Sequence, residues 1–376
     1  VGALGAYAFA RRLGASQPAA VLAGLAQLVC FKLIIAGFAG WSSQIAALVM
    51  LPWIGHAAAS CALSPGLPAF VAAACTFGVT FAGGSPQMPY YALLVLSALP
   101  IALVAPRREN VARIARSYAC LGAALALGLG CNTYLWLPLA LDLPLLARAQ
   151  QDYAFFLSGH GLGPSHLATW LAPELLGSPL DRSYAAVELW EDVAYFGIVP
   201  LVFVVYAFTQ LGRASMAMRY LALAFVLSAL ASLESPLLEG LHAFMPGYAV
   251  FRLPGRMLFV TAVVGIALFA LGVDVLLARL RARPLRLTHA VIAGLGVLML
   301  GEGTFYAQRY LTTTASNELV ADRDHPAREL GASEGTRVAA LGRASLTYGW
   351  ASALGIELVS GFDPYVFSHV RDYLAL

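Results

Sequence analysis

The apolar residues of this chain fall into long segments, and short clusters of arginine separate several of them. A bilayer core about 30 Å thick is crossed by roughly 20 helical residues. The pattern predicts ten apolar segments, at 1–10, 18–39, 42–62, 66–83, 88–105, 117–140, 194–211, 219–238, 257–279 and 288–308. We therefore expect an all-α polytopic membrane protein with about ten transmembrane helices.

Charged residues predict the direction in which these segments cross the bilayer. If every segment spans, the arginine clusters all fall on one side, and most of the acidic residues fall on the other. The positive-inside rule makes the arginine side cytoplasmic. The clusters are Arg11 and Arg12; Arg107, Arg108, Arg113 and Arg116; Arg213 and Arg219; and Arg279, Arg281, Arg283 and Arg286.

The same pattern predicts the domain organisation. Residues 1–308 form a transmembrane helical domain, from which the loop 141–193 extends on the extracytoplasmic side. From residue 309 the composition becomes charged and mixed, which predicts the start of a small extracytoplasmic α/β domain at 309–376. The chain begins at Val1 within an apolar run, and we expect it to be truncated there and again at Leu376.

Composition excludes several classes of protein. Hydrophobic residues make up 60% of the chain and charged residues 11%, too apolar for a soluble domain. A net charge of +3 is too small to indicate a nucleic-acid partner. The five cysteines form no CxxC pair and lie at no metal-site spacing from histidine, so no zinc site is expected. Nucleotide-binding, GxSxG and HExxH motifs are absent from the sequence.

The motif FRLPGR, residues 251–256, places two arginines where a membrane helix begins. Pro254 suits the first turn of that helix. Arg252 and Arg256 would flank its outer end, where the helix dipole and the positive-inside bias both disfavour cations. An anion resolves this conflict, because a helix N-terminus and two guanidinium groups form a phosphate site. The alternative is that both arginines pair with loop acids or reach lipid headgroups.

The motif WEDVAYFG, residues 190–197, lies where the long loop re-enters the membrane. Glu191 and Asp192 would start a helix there, and helix capping accounts for Asp192. For Glu191, a functional role stays open beside capping. Trp190 and Tyr195 belong to an aromatic group whose rings could stack on a sugar, with an interfacial aromatic belt as the alternative.

Two other features involve ionisable residues. The glycine-rich segment SGHGLGPSH, residues 158–166, suits a lid and carries His160 and His166, whose spacing does not identify a metal site. His160 is kept as a candidate substrate-binding residue. Lys32 lies deep in an apolar segment, and an ionisable residue inside a membrane is a functional candidate by default. Snorkelling of Lys32 to the interface is the alternative.

Several motifs, in order along the chain, resemble those of YfhO-like bacterial membrane proteins. The matching segments are GAYAFARRLGASQPAAVLAGLAQL, GGSPQMPYYALL, TWLAPELLGSP, WEDVAYFGIVPL, FRLPGRMLFVTAVVGIALFALGVDVL and GFDPYVFSHVRDYL. Two positions depart from the family pattern, since Ser85 stands where histidine is usual and Phe362 replaces tyrosine. The resemblance covers essentially the whole chain.

This resemblance implies a GT-C-type glycosyltransferase, which moves a sugar from a polyprenyl-phosphate donor to an acceptor outside the cytoplasm. Arg252 and Arg256 correspond to the paired arginines of the family. Glu191 corresponds to its glutamate, and Gln87 to its glutamine. The superfamily's catalytic acid lies in the first outside loop, which would precede Val1.

Together these observations predict a membrane glycosyltransferase of the bacterial inner (cytoplasmic) membrane with an extracytoplasmic C-terminal tail. Its partners would be the lipid bilayer, a polyprenyl-phosphate sugar donor and a cell-envelope glycan or glycolipid acceptor. No cofactor beyond the donor is predicted, no metal ligand is assigned, and a divalent metal requirement stays open. The candidate catalytic residue is Glu191, and the candidate substrate-binding residues are Arg252, Arg256, Gln87, Tyr195, His160 and Trp190.

Two other functions stay open at this point. A lipid-linked substrate transporter or flippase would show charges along a midplane path and inverted repeats, and we find no such repeat in the sequence. A non-catalytic membrane assembly partner would not need the acidic loop that precedes Val1 in the resemblance. A carboxylate pair upstream would favour the enzyme.

Overall fold

A computed structural model describes residues 1–83, 85–104, 110–142, 144, 152–157, 161–181, 183, 189–281 and 283–311 of the chain. Within these ranges the regular secondary structure is helical, and there is no β-strand. The all-α class predicted from the sequence is confirmed for this part of the chain. The predicted α/β domain at 309–376 lies outside it, apart from residues 309–311. All contacts given below are within one compact unit, residues 1–138 and 152–311.

The described residues form sixteen α-helices. They are α1 Gly2–Arg12, α2 Gln17–Leu28, α3 Phe31–Phe38, α4 Ser42–Leu63, α5 Leu67–Ala82, α6 Gln87–Leu96, α7 Leu99–Val104, α8 Asn110–Cys131, α9 Thr133–Asp142, α10 Tyr153–Leu157, α11 Leu189–Asp192, α12 Ile198–Thr209, α13 Met216–Leu230, α14 Pro236–Phe244, α15 Met257–Leu280 and α16 Leu285–Tyr310. Short 3₁₀-helices occupy Pro164–Trp170, Leu211–Arg213, Tyr248–Val250 and Pro254–Arg256.

Six helical stretches in the described ranges are long and apolar enough to cross a bilayer. They are Gln17–Phe38, Ser42–Leu63, Gln87–Val104, Val111–Cys131, Pro254–Leu280 and Leu285–Tyr310. The apolar helices α5, α12 and α13 have 16, 12 and 15 residues and fall short of that length. The chain is thus a helical membrane protein, with a helix in each of the ten predicted segments but only six of full spanning length.

Three predicted segments have different boundaries in the structure, and a fourth, 88–105, is interrupted. The segment 18–39 is two helices, because the backbone leaves the helical conformation at Cys30. The segment 117–140 begins earlier, at Asn110, and is divided into α8 and α9 at Asn132. Arg113 lies within α8 and donates from Nη2 to the main-chain oxygen of Leu63 at 2.7 Å. In the segment 219–238, the first helix ends at Leu230. The Ser235 side chain then caps the start of α14.

The span Gln87–Val104 is interrupted between α6 and α7. Carbonyl groups in the last turn of a helix have no partner within it. Here the hydroxyl of Tyr220 donates to the main-chain oxygen of Val95, and the hydroxyl of Tyr118 donates to that of Ser97 at 2.8 Å. Two apolar cavities, of about 340 and 240 Å³, flank the interruption, and Tyr220 and Tyr118 line one each. Side chains therefore replace the hydrogen bonds that the helix lacks.

Hydrogen bonds join α15 to two other helix ends that adjoin arginine clusters. The Arg279 guanidinium donates to the side chain of Gln210, which joins the ends of α15 and α12. The amide of Ser16, just after α1, donates to Asp274 of α15 at 3.1 Å. Gly272 allows α15 to approach α12 closely, because a Cβ at this position would lie 2.8 Å from the main-chain oxygen of Phe203.

Helix α15 is the centre of the unit. Nearly every residue of its first four turns is buried, and it contacts α2, α12 and α13. Thr261 of α15 donates to the hydroxyl of Ser228 on α13 at 2.9 Å, a polar contact between two apolar helices. By contrast, α8 and α16 leave most of their apolar side chains exposed, as helices facing lipid do. The N-terminal end of α15 carries the polar cluster described next.

Candidate functional site

The cluster is built on an ion pair between Glu191 and Arg256. Arg256 donates from Nη2 to Oε1 of Glu191 at 2.7 Å, and its Nε lies 3.0 and 3.1 Å from the two carboxylate oxygens. The Glu191 side chain is fully buried, while 17% of the Arg256 side chain is exposed. This two-point contact fixes the plane of the guanidinium. One edge of Arg256 is thereby committed to the protein.

Gln87, the first residue of α6, joins this pair to the FRLPGR turn. Arg256 donates from Nη1 to Oε1 of Gln87 at 2.9 Å. The Nε2 of Gln87 in turn donates to the main-chain oxygen of Arg252, and lies 3.3 Å from that of Leu253. The side-chain amide of Gln87 therefore contacts both the Arg256 guanidinium and the backbone of residues 252 and 253.

Backbone conformation accounts for the shape of the FRLPGR turn. Leu253 has φ +61°, a left-handed conformation that non-glycine residues rarely adopt. Gly255 lies against the WEDV segment, where an added Cβ would be 3.4 Å from the main-chain oxygen of Glu191. Pro254 then sets the helical direction of the following turn. These features bring the start of α15 against α11.

Three residues of the α3–α4 region complete the cluster, and the sequence pointed only to Lys32. The Lys32 ammonium donates to the main-chain oxygen of Glu191 at 3.0 Å and lies 4.4 Å from the ring centroid of Phe259. Gln44 donates from Nε2 to Oε1 of Glu191 at 3.0 Å. The ring of Trp41 lies 5.3 Å from the Arg256 guanidinium carbon. Lys32 is fully buried, so it does not snorkel to the interface.

Aromatic rings line the side of the cluster next to Gln87. The hydroxyl of Tyr91 accepts from Nε2 of Gln87 at 3.0 Å, and the Tyr91 ring stacks on Tyr248 with centroids 5.2 Å apart. Burial raises the pKa of Tyr248 far above its usual range, so this hydroxyl stays protonated at any physiological pH. The rings form an apolar wall that excludes water from one side of the polar groups.

The other candidate residues take different places. The Tyr195 hydroxyl donates to Glu302 of α16, and its ring packs among Phe31 and Tyr306, so this side chain points towards α16. Trp190 packs at the edge of the same aromatic group. His160 lies outside the described residues. Glu302 also accepts from the amide of Ile198 at 3.0 Å, a helix-capping contact across 104 residues of sequence that no local signal predicts.

The arrangement retains capacity to bind an anion. A guanidinium has five N–H donors. Glu191 and Gln87 accept from three of those of Arg256, and the described residues provide no acceptor for the remaining donor on each terminal nitrogen. These donors lie at the N-terminus of α15, where the helix dipole favours negative charge. Within the described ranges, no group of three or more His, Cys, Asp or Glu residues is placed to hold a metal ion.

Comparisons with known proteins identify no relative of this chain. Neither protein-family models, nor curated proteins, nor solved structures give a match to this chain. The resemblance to YfhO-like proteins therefore rests on the sequence motifs, and the functional conclusions that follow rest on the geometry of the cluster around Arg256.

Proposed function

We propose that the chain is part of a GT-C-type, YfhO-like membrane glycosyltransferase that uses a polyprenyl-phosphate sugar donor and a cell-envelope acceptor. The observation that carries this proposal is the meeting of Gln87, Glu191 and Arg256 in one buried cluster. Glu191 lies 65 positions and Gln87 169 positions before Arg256 in the sequence. Each of the three stands at a position that the motif resemblance assigns to the family.

Arg256 is proposed to hold the donor phosphate, together with Arg252. Its two remaining N–H donors, the dipole of α15 and a partly exposed face all favour an anionic oxygen. The Trp41 ring beside the guanidinium limits the approach to one side. Because Lys presents a point charge and no planar fork, Arg256→Lys should already weaken donor binding.

Glu191 is proposed to balance the charge of Arg256 while no donor is bound, and to orient a sugar or acceptor hydroxyl when one is. With the carboxylate already anchored by Arg256 and Gln44, Glu191→Gln should lower turnover by roughly 10- to 100-fold, or about 1.4–2.7 kcal/mol. Loss of all activity would make Glu191 the catalytic base.

The proposal includes the finer arrangement in the membrane. We place all ten apolar segments across the bacterial inner membrane. The connections that carry the arginine clusters are then cytoplasmic, and the polar cluster around Arg256 lies towards the extracytoplasmic side. The hydrogen bond between Arg279 and Gln210 supports this, because it joins two connections that the threading puts on one side. Residues 312–376 would form the start of an extracytoplasmic α/β domain.

Binding of a polyprenyl-phosphate sugar by the protein in lipid nanodiscs tests the function. Wild type should bind it, and Arg252→Ala with Arg256→Ala should abolish binding. The exposed pair Arg281→Ala with Arg283→Ala, which removes the same charge at the opposite end of α15, is the matched control. Binding that survives the Arg252 and Arg256 substitutions would refute the assignment of the phosphate site.

A transporter of lipid-linked substrates is the second candidate, favoured by the interruption between α6 and α7. Discontinuous helices are typical of transporters, which use them near their substrate sites. The two functions differ in outcome: an enzyme transfers labelled sugar to an acceptor, while a transporter moves intact labelled lipid between leaflets. Measuring both products in the same proteoliposomes distinguishes them.

A further inference from the structure

Gln44 has a hydrogen-bonding group that the protein does not use. Its side chain is 2% exposed, and its Nε2 donates to Oε1 of Glu191 at 3.0 Å. Its Oε1 has no hydrogen-bond partner among the described residues. Exchanging the two amide atoms does not solve this, because an amide oxygen would then face the Glu191 carboxylate. A buried acceptor is thus fixed in place beside Glu191.

Lys32 has unused donors in the same neighbourhood. A lysine ammonium has three N–H donors. The main-chain oxygen of Glu191 is the one hydrogen-bond acceptor that the described part of the chain gives it. The ring of Phe259 covers another side of the ammonium. Buried polar groups are normally satisfied, so the spare donors of Lys32 and the spare acceptor of Gln44 both indicate a missing partner.

We propose that Gln44 and Lys32 form a subsite for hydroxyl groups, and that these are sugar hydroxyls of the lipid-linked donor. The inference rests on the proposed function, since it places the sugar beside the phosphate held by Arg256. Both side chains contact Glu191, Gln44 through the carboxylate and Lys32 through the main chain. The sugar would therefore lie on the side of Glu191 that faces α3 and α4.

A hydroxyl matches these two groups better than other ligand chemistry does. It donates one hydrogen bond, which Gln44 needs, and accepts one, which Lys32 can give. A phosphate oxygen would be repelled by the amide oxygen of Gln44, and an apolar group would satisfy neither residue. The first turn of α4 also reaches the surface, since Ser42 and Ser43 are exposed next to buried Gln44.

Two lipid probes separate the sugar from the phosphate. One is a polyprenyl phosphate that carries a single hexose, tested as glucose, galactose, mannose and N-acetylglucosamine; the other is the same lipid without sugar. We expect Gln44→Met to weaken binding of the preferred sugar-bearing lipid about tenfold, the effect of one lost hydrogen bond. Binding of the bare lipid should stay unchanged. Lys32→Met should give the same selective loss.

The matched control is Gln27→Met on α2. Gln27 is also buried, and neither of its amide atoms has a partner in the described ranges. Among the described residues, no hydrogen bond joins it to the cluster, so its substitution should affect neither lipid. If Gln44→Met does not fold, as judged by thermal unfolding, Gln44→Asn replaces it, since it keeps the amide but withdraws it from the subsite.

Each outcome has one meaning. Equal weakening of both lipids would overturn the inference, because Gln44 would then only hold Glu191 in place. No change in either lipid would overturn it as well, and would leave an internal water as the partner of Gln44. Failure of wild type to bind either lipid would instead overturn the proposed function, and this inference with it.

Discussion

At the scale of single residues, the stability of the cluster depends on the buried ion pair of Glu191 and Arg256. Removing two charges from water is costly, and a buried pair recovers that cost only when its geometry and its other hydrogen bonds are good. Here Gln44 and Gln87 supply those hydrogen bonds, one to each partner. The pair is therefore expected to be well ordered. Removing one partner should destabilise the fold, because the other charge is then buried without compensation.

A double-mutant cycle measures this coupling. Glu191→Gln or Arg256→Gln alone should lower the free energy of unfolding by about 1–3 kcal/mol, because each leaves the other group poorly compensated. The double variant should be less unstable than the sum of the two, with a coupling of roughly 0.5–3 kcal/mol. Thermal unfolding in detergent gives all four values. Strict additivity would mean that the two side chains do not interact in the folded protein.

The left-handed conformation of Leu253 gives a second residue-level prediction. Both Leu253→Ala and Leu253→Gly remove a buried side chain, but only glycine adopts positive φ without strain. The glycine variant should therefore be at least as stable as the alanine variant. Leu258, a buried leucine within α15, is the control, and there glycine should be less stable than alanine by about 1 kcal/mol. The same order at both sites would contradict the strained backbone.

The sequence indicated one half of the cluster and not the other. Arg256 and Glu191 stand out because each is a charge at the start of a predicted membrane helix. Gln44 gives no such signal, since an uncharged polar residue near a helix end is ordinary. Its contact with Glu191 spans 147 residues of sequence and depends on how α4 packs against α11. Local pattern contains no information on that packing.

At the scale of elements, the interruption between α6 and α7 depends on two side chains from other helices. Tyr118 of α8 and Tyr220 of α13 each line a separate apolar cavity beside the interruption. No solvent at membrane depth can satisfy a free carbonyl group. These tyrosines therefore stabilise a joint that would otherwise close into a continuous helix or expose polar atoms to lipid.

Removing these hydroxyls tests the joint. Tyr118→Phe and Tyr220→Phe should each lower the free energy of unfolding by about 0.6–1.7 kcal/mol, the range of side-chain hydrogen bonds inside membrane proteins. Tyr134→Phe, on the exposed face of α9, is the control and should have no effect. Equal stability of all three variants would mean that the carbonyl groups of Val95 and Ser97 do not need the hydroxyls.

Helix boundaries show where sequence patterns stop being informative. The positions of the apolar segments follow from hydropathy, and helices occupy all ten of them. The break at Cys30 has no proline or glycine nearby to indicate it, and it is held by tertiary contacts such as that of Lys32 with Glu191. Hydropathy does not predict the early start of α8, because Arg113 and Arg116 interrupt the apolar sequence there. An arginine can nevertheless lie within a helix while its long side chain reaches a polar group.

At the scale of the whole molecule, the number of spans depends on whether α12 and α13 cross the membrane. Ten spans place Arg213 on the same side as Arg281, whereas six spans leave Arg213 on the side of Ser183. Residues 183, 213 and 281 are all exposed. The native cysteines Cys30, Cys61, Cys75, Cys120 and Cys131 must be replaced before labelling.

We expect single cysteines at 213 and 281 to react with a membrane-impermeant maleimide from the cytoplasmic side, and a cysteine at 183 from the other side. The threading would be wrong if 183 and 281 reacted from one side. Labelling of 213 together with 183 would instead mean that α12 and α13 do not cross the membrane and form a re-entrant pair.

The distance in sequence between Lys32 and its acceptor has a consequence for biosynthesis. Their contact spans 159 residues. At about 5–20 residues per second, a nascent chain needs roughly 8–32 s after Lys32 is made before Glu191 leaves the peptidyl-transferase centre. During that time the second apolar segment must enter the insertion machinery with a charged group that lacks its final contact. Lys32 therefore lacks this contact while the intervening helices are synthesised, and the polar cluster is complete only once Arg256 has followed.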